Sequence, residues 1–113
     1  MFTKVPIWDY HIHMRVIAKK NLIAFWEKYP EAEQSLRAWH DEAMKANWKT
    51  PQDIKDKYAS ASFLQNNRVV FNIKGNQFRL IAAVAYKFGA VYIKFVGTHA
   101  EYDHIDASTV EMR

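Results

Sequence analysis

The stretch that decides the fold is Arg68-Val-Val-Phe-Asn-Ile-Lys74-Gly75-Asn76-Gln77-Phe-Arg79-Leu-Ile-Ala-Ala-Val-Ala-Tyr86-Lys87, then Phe88-Gly89, then Ala90-Val-Tyr-Ile-Lys94-Phe-Val-Gly97-Thr98-His99. It reads as three strands joined by two tight turns. Gly75-Asn76 is a glycine-led hairpin signal, because a two-residue loop needs positive φ. Phe88-Gly89 is a signal of the same kind. If Gly75 and Asn76 form the first loop, Ile73 faces Phe78, Asn72 faces Arg79 and Phe71 faces Leu80. If Phe88 and Gly89 form the second, Tyr86 faces Val91, Val84 faces Ile93, Ala83 faces Lys94, Ala82 faces Phe95 and Arg79 faces Thr98. Side chains alternate along a strand, so this register sorts the faces. Val69, Phe71, Ile73, Phe78, Leu80, Val84, Tyr86, Val91, Ile93 and Phe95 make a core face. Asn72, Arg79, Ala83, Ala85, Lys94 and Thr98 share the other, with Val70, Ile81, Tyr92 and Val96 between them. That second face is expected to be a shallow groove, floored by alanines and lined by Arg and Lys, able to seat a phosphate backbone.

Charge is distributed in the same direction. The 113-residue chain carries a net +4, yet residues 1 to 56 are near balance, with nine Lys/Arg and eight Asp/Glu. Residues 57 to 100 hold Lys57, Arg68, Lys74, Arg79, Lys87 and Lys94 and no acid; Glu101, Asp103, Asp106 and Glu111 follow. An acid-free sheet segment is the electrostatic footprint of a polyanion binder, nucleic acid first. Edge lysines that block aggregation would give a similar count. The length suits one domain with one core. The absence of cysteine excludes a disulfide framework and a thiolate metal site. No apolar run approaches the ~18 residues of a membrane span, and no signal peptide is evident, so a cytoplasmic protein is expected.

Taken in order, residues 1–13 read as an extension preceding a single domain over 14–113. Pro6 interrupts any regular element there, and His11-Ile12-His13 with Asp9 reads as a tail in preference to a chelate. Met14 to Ala18 is a short strand. Lys20 to Tyr29 carries Leu22, Phe25, Trp26 and Tyr29 at helical spacing, and Pro30 ends that helix. Glu31 to Asn47 is a second helix with Ala32, Leu36, Trp39, Ala43 and Ala46 on one face; both tryptophans are expected in the core. Thr50-Pro51 starts a third, as N-cap and first helical residue. Ala59 to Asn67 reads as a loop, and Ala100 to Asp106 as a turn or short helix. The expected fold class is α+β: two layers, two to three helices on one face of a mainly antiparallel sheet, β-αα-βββ.

Nucleotide loops and HExxH are absent. What remains is a cluster at one sheet end: Arg79 with Asn72 and Thr98, His99, Tyr102 and His104 just after it, Lys74 and Asn76 on the hairpin, Lys94 further along, and Arg68 and Lys87 as additional cations. This set suits RNA cleavage by internal transesterification. A histidine moves protons near neutral pH, and Arg and Lys stabilise a phosphorane, with no metal or other cofactor called for. Structural duties for the same residues stay open at this point: Arg79 pairing an acid, the lysines solvated, His99 satisfying a strand-end carbonyl.

Phe71-Asn-Ile-Lys74-Gly75-Asn76-x-x-Arg79-Leu-Ile81 followed by Thr98-His99-x-Glu101-Tyr102-Asp103 resembles the HigB toxin family of the RelE-like superfamily, over about Met14 to Ile105. The resemblance implies an mRNA interferase that cuts messenger RNA on the translating ribosome, paired with a helix-turn-helix antitoxin. It carries His99 over as catalytic and Arg79 as a phosphate contact, with Lys74, Lys94 and Tyr102 beside them. Which group is general base and which general acid stays open. The alternative on the same fold is a non-catalytic RNA- or protein-binding domain.

Overall fold

The computed structural model describes residues 13–112; the expected extension, apart from His13, lies outside the described residues. In chain order the elements are β1 (Arg15–Ile17), α1 (Lys19–Lys28), a 3-10 turn (Pro30–Ala32), α2 (Glu33–Lys45), α3 (Pro51–Lys57), β2 (Ser62–Phe63), β3 (Arg68–Ile73), β4 (Phe78–Ala85), a second 3-10 turn (Tyr86–Phe88), β5 (Ala90–Thr98) and α4 (His99–Tyr102). One five-stranded sheet has the order β1-β5-β4-β3-β2. Among the described residues only the β1–β5 pair is parallel. The α+β reading holds: α1 to α3 cover one face of a mostly antiparallel sheet. Among the described residues no helix is long and apolar enough to cross a membrane.

The helices form where apolar spacing demands them. Leu22, Phe25 and Trp26 bury one side of α1, and Leu36, Trp39 and Ala43 bury one side of α2. Pro30 cannot continue α1 and opens the 3-10 turn instead. Thr50 and Asp53 form a reciprocal capping box on α3, with Pro51 at its first position. Both tryptophans lie in the core as expected. Trp39 meets Phe71 edge-on at 5.3 Å, and Trp48 and Tyr58 close the same aromatic cluster. β2 lies where the sequence predicts a loop. Its two residues pair with Val69 and Val70, and Asn66 and Asn67 at φ 63° and 58° turn the chain, a conformation asparagine tolerates.

The first of the two main hairpins has the expected register, with Ile73 opposite Phe78 and Asn72 opposite Arg79. Gly75 takes φ 64° and Lys74 shares the left-handed region at 53°. The second hairpin departs from expectation. Tyr86 to Phe88 wind into a 3-10 turn closed by Gly89 at φ 63°, so four residues form the connection and Ala85 pairs with Ala90. A bulge follows: Ala82 opposes Ile93 and Ile81 opposes Phe95, which leaves Lys94 without a partner. Arg79 therefore faces Gly97, and Thr98 faces Phe78.

One extra residue exchanges the faces beyond it. Val96, expected on the groove side, joins the main core under the helices. Phe95, expected in that core, packs with Val70 and Ile81 in a second small cluster on the outer face. Leu64, Tyr102, Ile105, Ala107 and Val110 cover that cluster. Arg68 fastens the covering segment. Its guanidinium donates to the carbonyls of Ala107 (3.2 Å) and Val110 (2.7 Å) and to Glu111 Oε2 (2.8 Å). Lys94 Nζ reaches Glu111 Oε1 at 2.9 Å. The open alanine-floored groove expected from the alternation is thus closed over part of its length by residues 103–112.

Candidate active site

Three pieces of backbone converge where β4 begins and β5 ends. The first is the turn Lys74 to Gln77, closed by the Gln77 N–H donating to Lys74 O at 3.2 Å. The second is Arg79, one residue into β4. The third is α4, whose start is set by a capping box. Thr98 Oγ1 accepts from the Glu101 N–H at 3.0 Å, and Glu101 Oε1 accepts from the Thr98 N–H at 2.8 Å. Thr-His-x-Glu is the sequence signature of that box. The His99 N–H then donates to Gln77 O at 3.0 Å, tying the helix to the hairpin.

This backbone fixes the side chains. Arg79 donates to Asn76 Oδ1 at 2.6 Å, and its guanidinium lies 5.5 Å from the Tyr102 ring centroid. Tyr102 leans in turn on Phe95 at 6.4 Å. Gly97 makes that stack possible, since a Cβ there would run into the Phe95 ring and come within 3.1 Å of Glu101 Oε1. The His99 side chain is 46% exposed, and its Nδ1 lies 3.4 Å from Asp103 Oδ2 one helical turn on. Nδ1 is thus the ring nitrogen turned to Asp103. Lys74 and Asn76 are exposed on the adjoining turn. Asn72 sits opposite Arg79 and so shares its face.

Asn72 and Lys74 stand at this end of the sheet but also line a shallow pocket with Trp39, Glu42 and Tyr58 of the helical layer, while Arg79, His99, Tyr102 and Asn76 come together. Lys94, Arg68 and Lys87 do not. Lys94 stands at the bulge and is engaged by Glu111. That hydrogen bond, then the charges of Lys94 and Arg68, hold the Glu111 carboxyl below its ordinary range. Arg68, 5% exposed, spends its guanidinium on the C-terminal segment and is closed to phosphate. Lys87 is in the Tyr86–Phe88 turn at the other end of the sheet. Asp103 and Gln77 were absent from the expected site. Asp103 stands four residues after His99, the spacing that makes neighbours on a helix, so the sequence held a signal for it. Nothing local pointed to Gln77. No group of three or more His, Asp or Glu that could hold a metal occurs among the described residues; Asp9 and His11 lie outside them.

Chemically, the arrangement offers one imidazole beside a carboxylate, one guanidinium over a phenol ring, and an exposed lysine. That is a proton-transfer group beside phosphate-binding groups. A family model described as HigB_toxin, RelE-like toxic component of a toxin–antitoxin system, matches residues 32–105. The chain is 33% identical over 96 residues to the mRNA interferase toxin HigB of Escherichia coli (strain K12), covering 83% of this chain and 92% of that relative. The mRNA interferase HigB of Shigella flexneri matches with the same identity and coverage. The mRNA interferase HigB of Escherichia coli O6:H1 is 24% identical over 94 residues, 81% of this chain and 91% of its own.

Proposed function

The chain belongs to the HigB family of RelE-like toxins, the toxic components of toxin–antitoxin systems, and from that membership we propose that it is an endoribonuclease cutting messenger RNA on the translating ribosome. The observation that carries this reading is the meeting of His99, Arg79 and Tyr102 beside the exposed Lys74–Gln77 turn. The reaction is internal transesterification. A ribose 2′-oxygen attacks the adjacent phosphorus while its proton passes to a base. The P–O5′ bond breaks and O5′ takes up a proton. The products are a 2′,3′-cyclic phosphate and a 5′-hydroxyl.

His99 performs one of the two proton transfers, held in orientation by Asp103. Arg79, kept flat by Tyr102 and Asn76, holds the non-bridging oxygens as charge builds on the phosphorane. Lys74 and Asn72 contact the flanking backbone. These groups suffice without a metal ion. The partners are mRNA on the ribosome and a helix-turn-helix antitoxin, which places the protein in the cytoplasm.

The test is expression of His99→Ala and Arg79→Ala in a host without antitoxin, with primer extension on a translated message. Discrete cuts by the parent, and loss of both cutting and growth arrest in the variants, are expected. Undiminished toxicity in both variants removes the assigned site. No cuts at any level of parent protein leaves the non-catalytic binding domain as the better reading. A 3′-hydroxyl on the upstream fragment, in place of a cyclic or simple phosphate, excludes the 2′-OH route.

A further inference from the structure

At the opposite end of the sheet from Arg79 and His99, a cavity of about 340 Å³ opens between the start of β1, the α2–α3 connection and the Tyr86–Gly89 turn. It falls in the size range of ligand pockets. His13, Arg15, Lys49 and Lys87 line it, and no described lining residue is acidic. None of the four has an ion-pair partner among the described residues. The nearby Asp53 carboxylate is occupied as the α3 cap, accepting the Lys49 and Thr50 N–H groups at 2.9 and 3.1 Å. Burial, then the charge of Asp53, holds the Tyr86 phenol above its ordinary range, so it lines the pocket as a neutral donor.

The rim is aromatic. Phe88 is 71% exposed, far more than any other large apolar side chain described. The left-handed Gly89 that ends the turn presents it there, and the Arg15 N–H donating to Gly89 O at 2.8 Å fastens turn to strand. Lys87 Nζ lies 6.0 Å from its ring centroid. Among the described residues Phe88 belongs to neither hydrophobic cluster. Unpaired cations beside an open aromatic face are how proteins hold single-stranded nucleic acid, backbone on charge and base on ring.

We propose that this pocket is a second RNA-binding site, taking a phosphodiester of single-stranded RNA between Arg15, Lys49 and Lys87 and stacking the adjacent base on Phe88. It rests on the reading that the protein acts on RNA. It is separate from the cleavage site: β4 alone puts about 23 Å between its ends at ~3.3 Å per residue.

The experiment measures fluorescence anisotropy of a short labelled single-stranded RNA with the full chain carrying His99→Ala, so that the probe stays intact. Adding Phe88→Ala weakens binding about tenfold, and Phe88→Tyr restores it. Adding Lys49→Ala with Lys87→Ala lowers the slope of log K against log salt by about 0.7, the contribution of one phosphate contact. Lys45→Ala, on the exposed side of α2, serves as the reference, and circular dichroism verifies that each variant is folded. Pocket variants matching Lys45→Ala in both affinity and slope overturn the proposal. If Arg79→Ala still weakens binding in that case, the pocket alone has failed. Absence of RNA binding in every protein, parent background included, fails the RNA reading together with the pocket.

Discussion

His99, the proposed proton-transfer group, stands on a helix of four residues, too short to be stable alone. Its orientation comes from the Thr98–Glu101 box, the Gln77 carbonyl and Asp103. Removing the imidazole by His99→Ala leaves those supports in place, so we expect a fall in cleavage of ~10²–10⁴ with little change in melting temperature. Single-turnover cutting of a translated message, run beside a thermal melt, measures both. Gly97 behaves in the opposite way. It carries no functional group, yet Gly97→Ala drives a methyl group into the Phe95 ring beside Tyr102. The expected cost is about 1–3 kcal/mol in urea unfolding, with Arg79 losing its stacking partner as Phe95 and Tyr102 shift. The convergence of His99 and Arg79 at one sheet end was legible in the Gly-Asn-x-x-Arg and Thr-His-x-Glu blocks. Gly97 was opaque, because its need for a bare Cα depends on a ring two residues away crossing its own strand.

Among the elements, the Gly75 turn was readable because its dihedral demand is local: glycine there supplies positive φ, and the register of β3 on β4 follows. The Phe88-Gly89 turn misled because Tyr86 to Phe88 wind up before the glycine is reached, lengthening the connection. The bulge at Lys94 had no local signature at all. That ammonium is held by Glu111, seventeen residues later, and no alternation pattern carries such information. The same carboxylate yields a pH prediction. Hydrogen bonding by Lys94, then the charges of Lys94 and Arg68, depress its folded-state pKa below the unfolded value of 4.5. A depressed carboxyl contributes stability above the unfolded pKa and loses it as pH falls through the folded one. Glu111→Gln should therefore lower the urea midpoint at neutral pH and flatten its fall below about pH 5. Other depressed carboxyls, Asp53 and Asp106, leave some acid sensitivity behind. Removing the cation instead, Arg68→Ala, strips the C-terminal segment of two carbonyl bonds and one ion pair, at a cost of about 2–3 kcal/mol by the same midpoint measurement.

Across the whole molecule, the acid-free segment from 57 to 100 overstated the charge open to a polyanion. Arg68 and Lys94 are bound to Glu111, so four of its six cations remain outward or in reach of ligand, Lys57 on the helical layer and Lys74, Arg79 and Lys87 on the sheet. Composition counted charges but could not assign them, since their neutraliser lies outside the segment. The consequence is measurable in the salt dependence of RNA binding. Each phosphate contact with single-stranded RNA contributes ~0.7 to the slope of log K against log salt. Lys74→Ala combined with Arg79→Ala should reduce that slope by about 1.4. Lys94→Gln should leave the slope unchanged while lowering stability, because its charge is already matched within the fold. A slope that falls as far for Lys94→Gln as for Arg79→Ala would mean that the C-terminal segment lifts off when RNA binds, freeing Lys94 and Arg68 to meet phosphate and reopening the groove that residues 103–112 now cover.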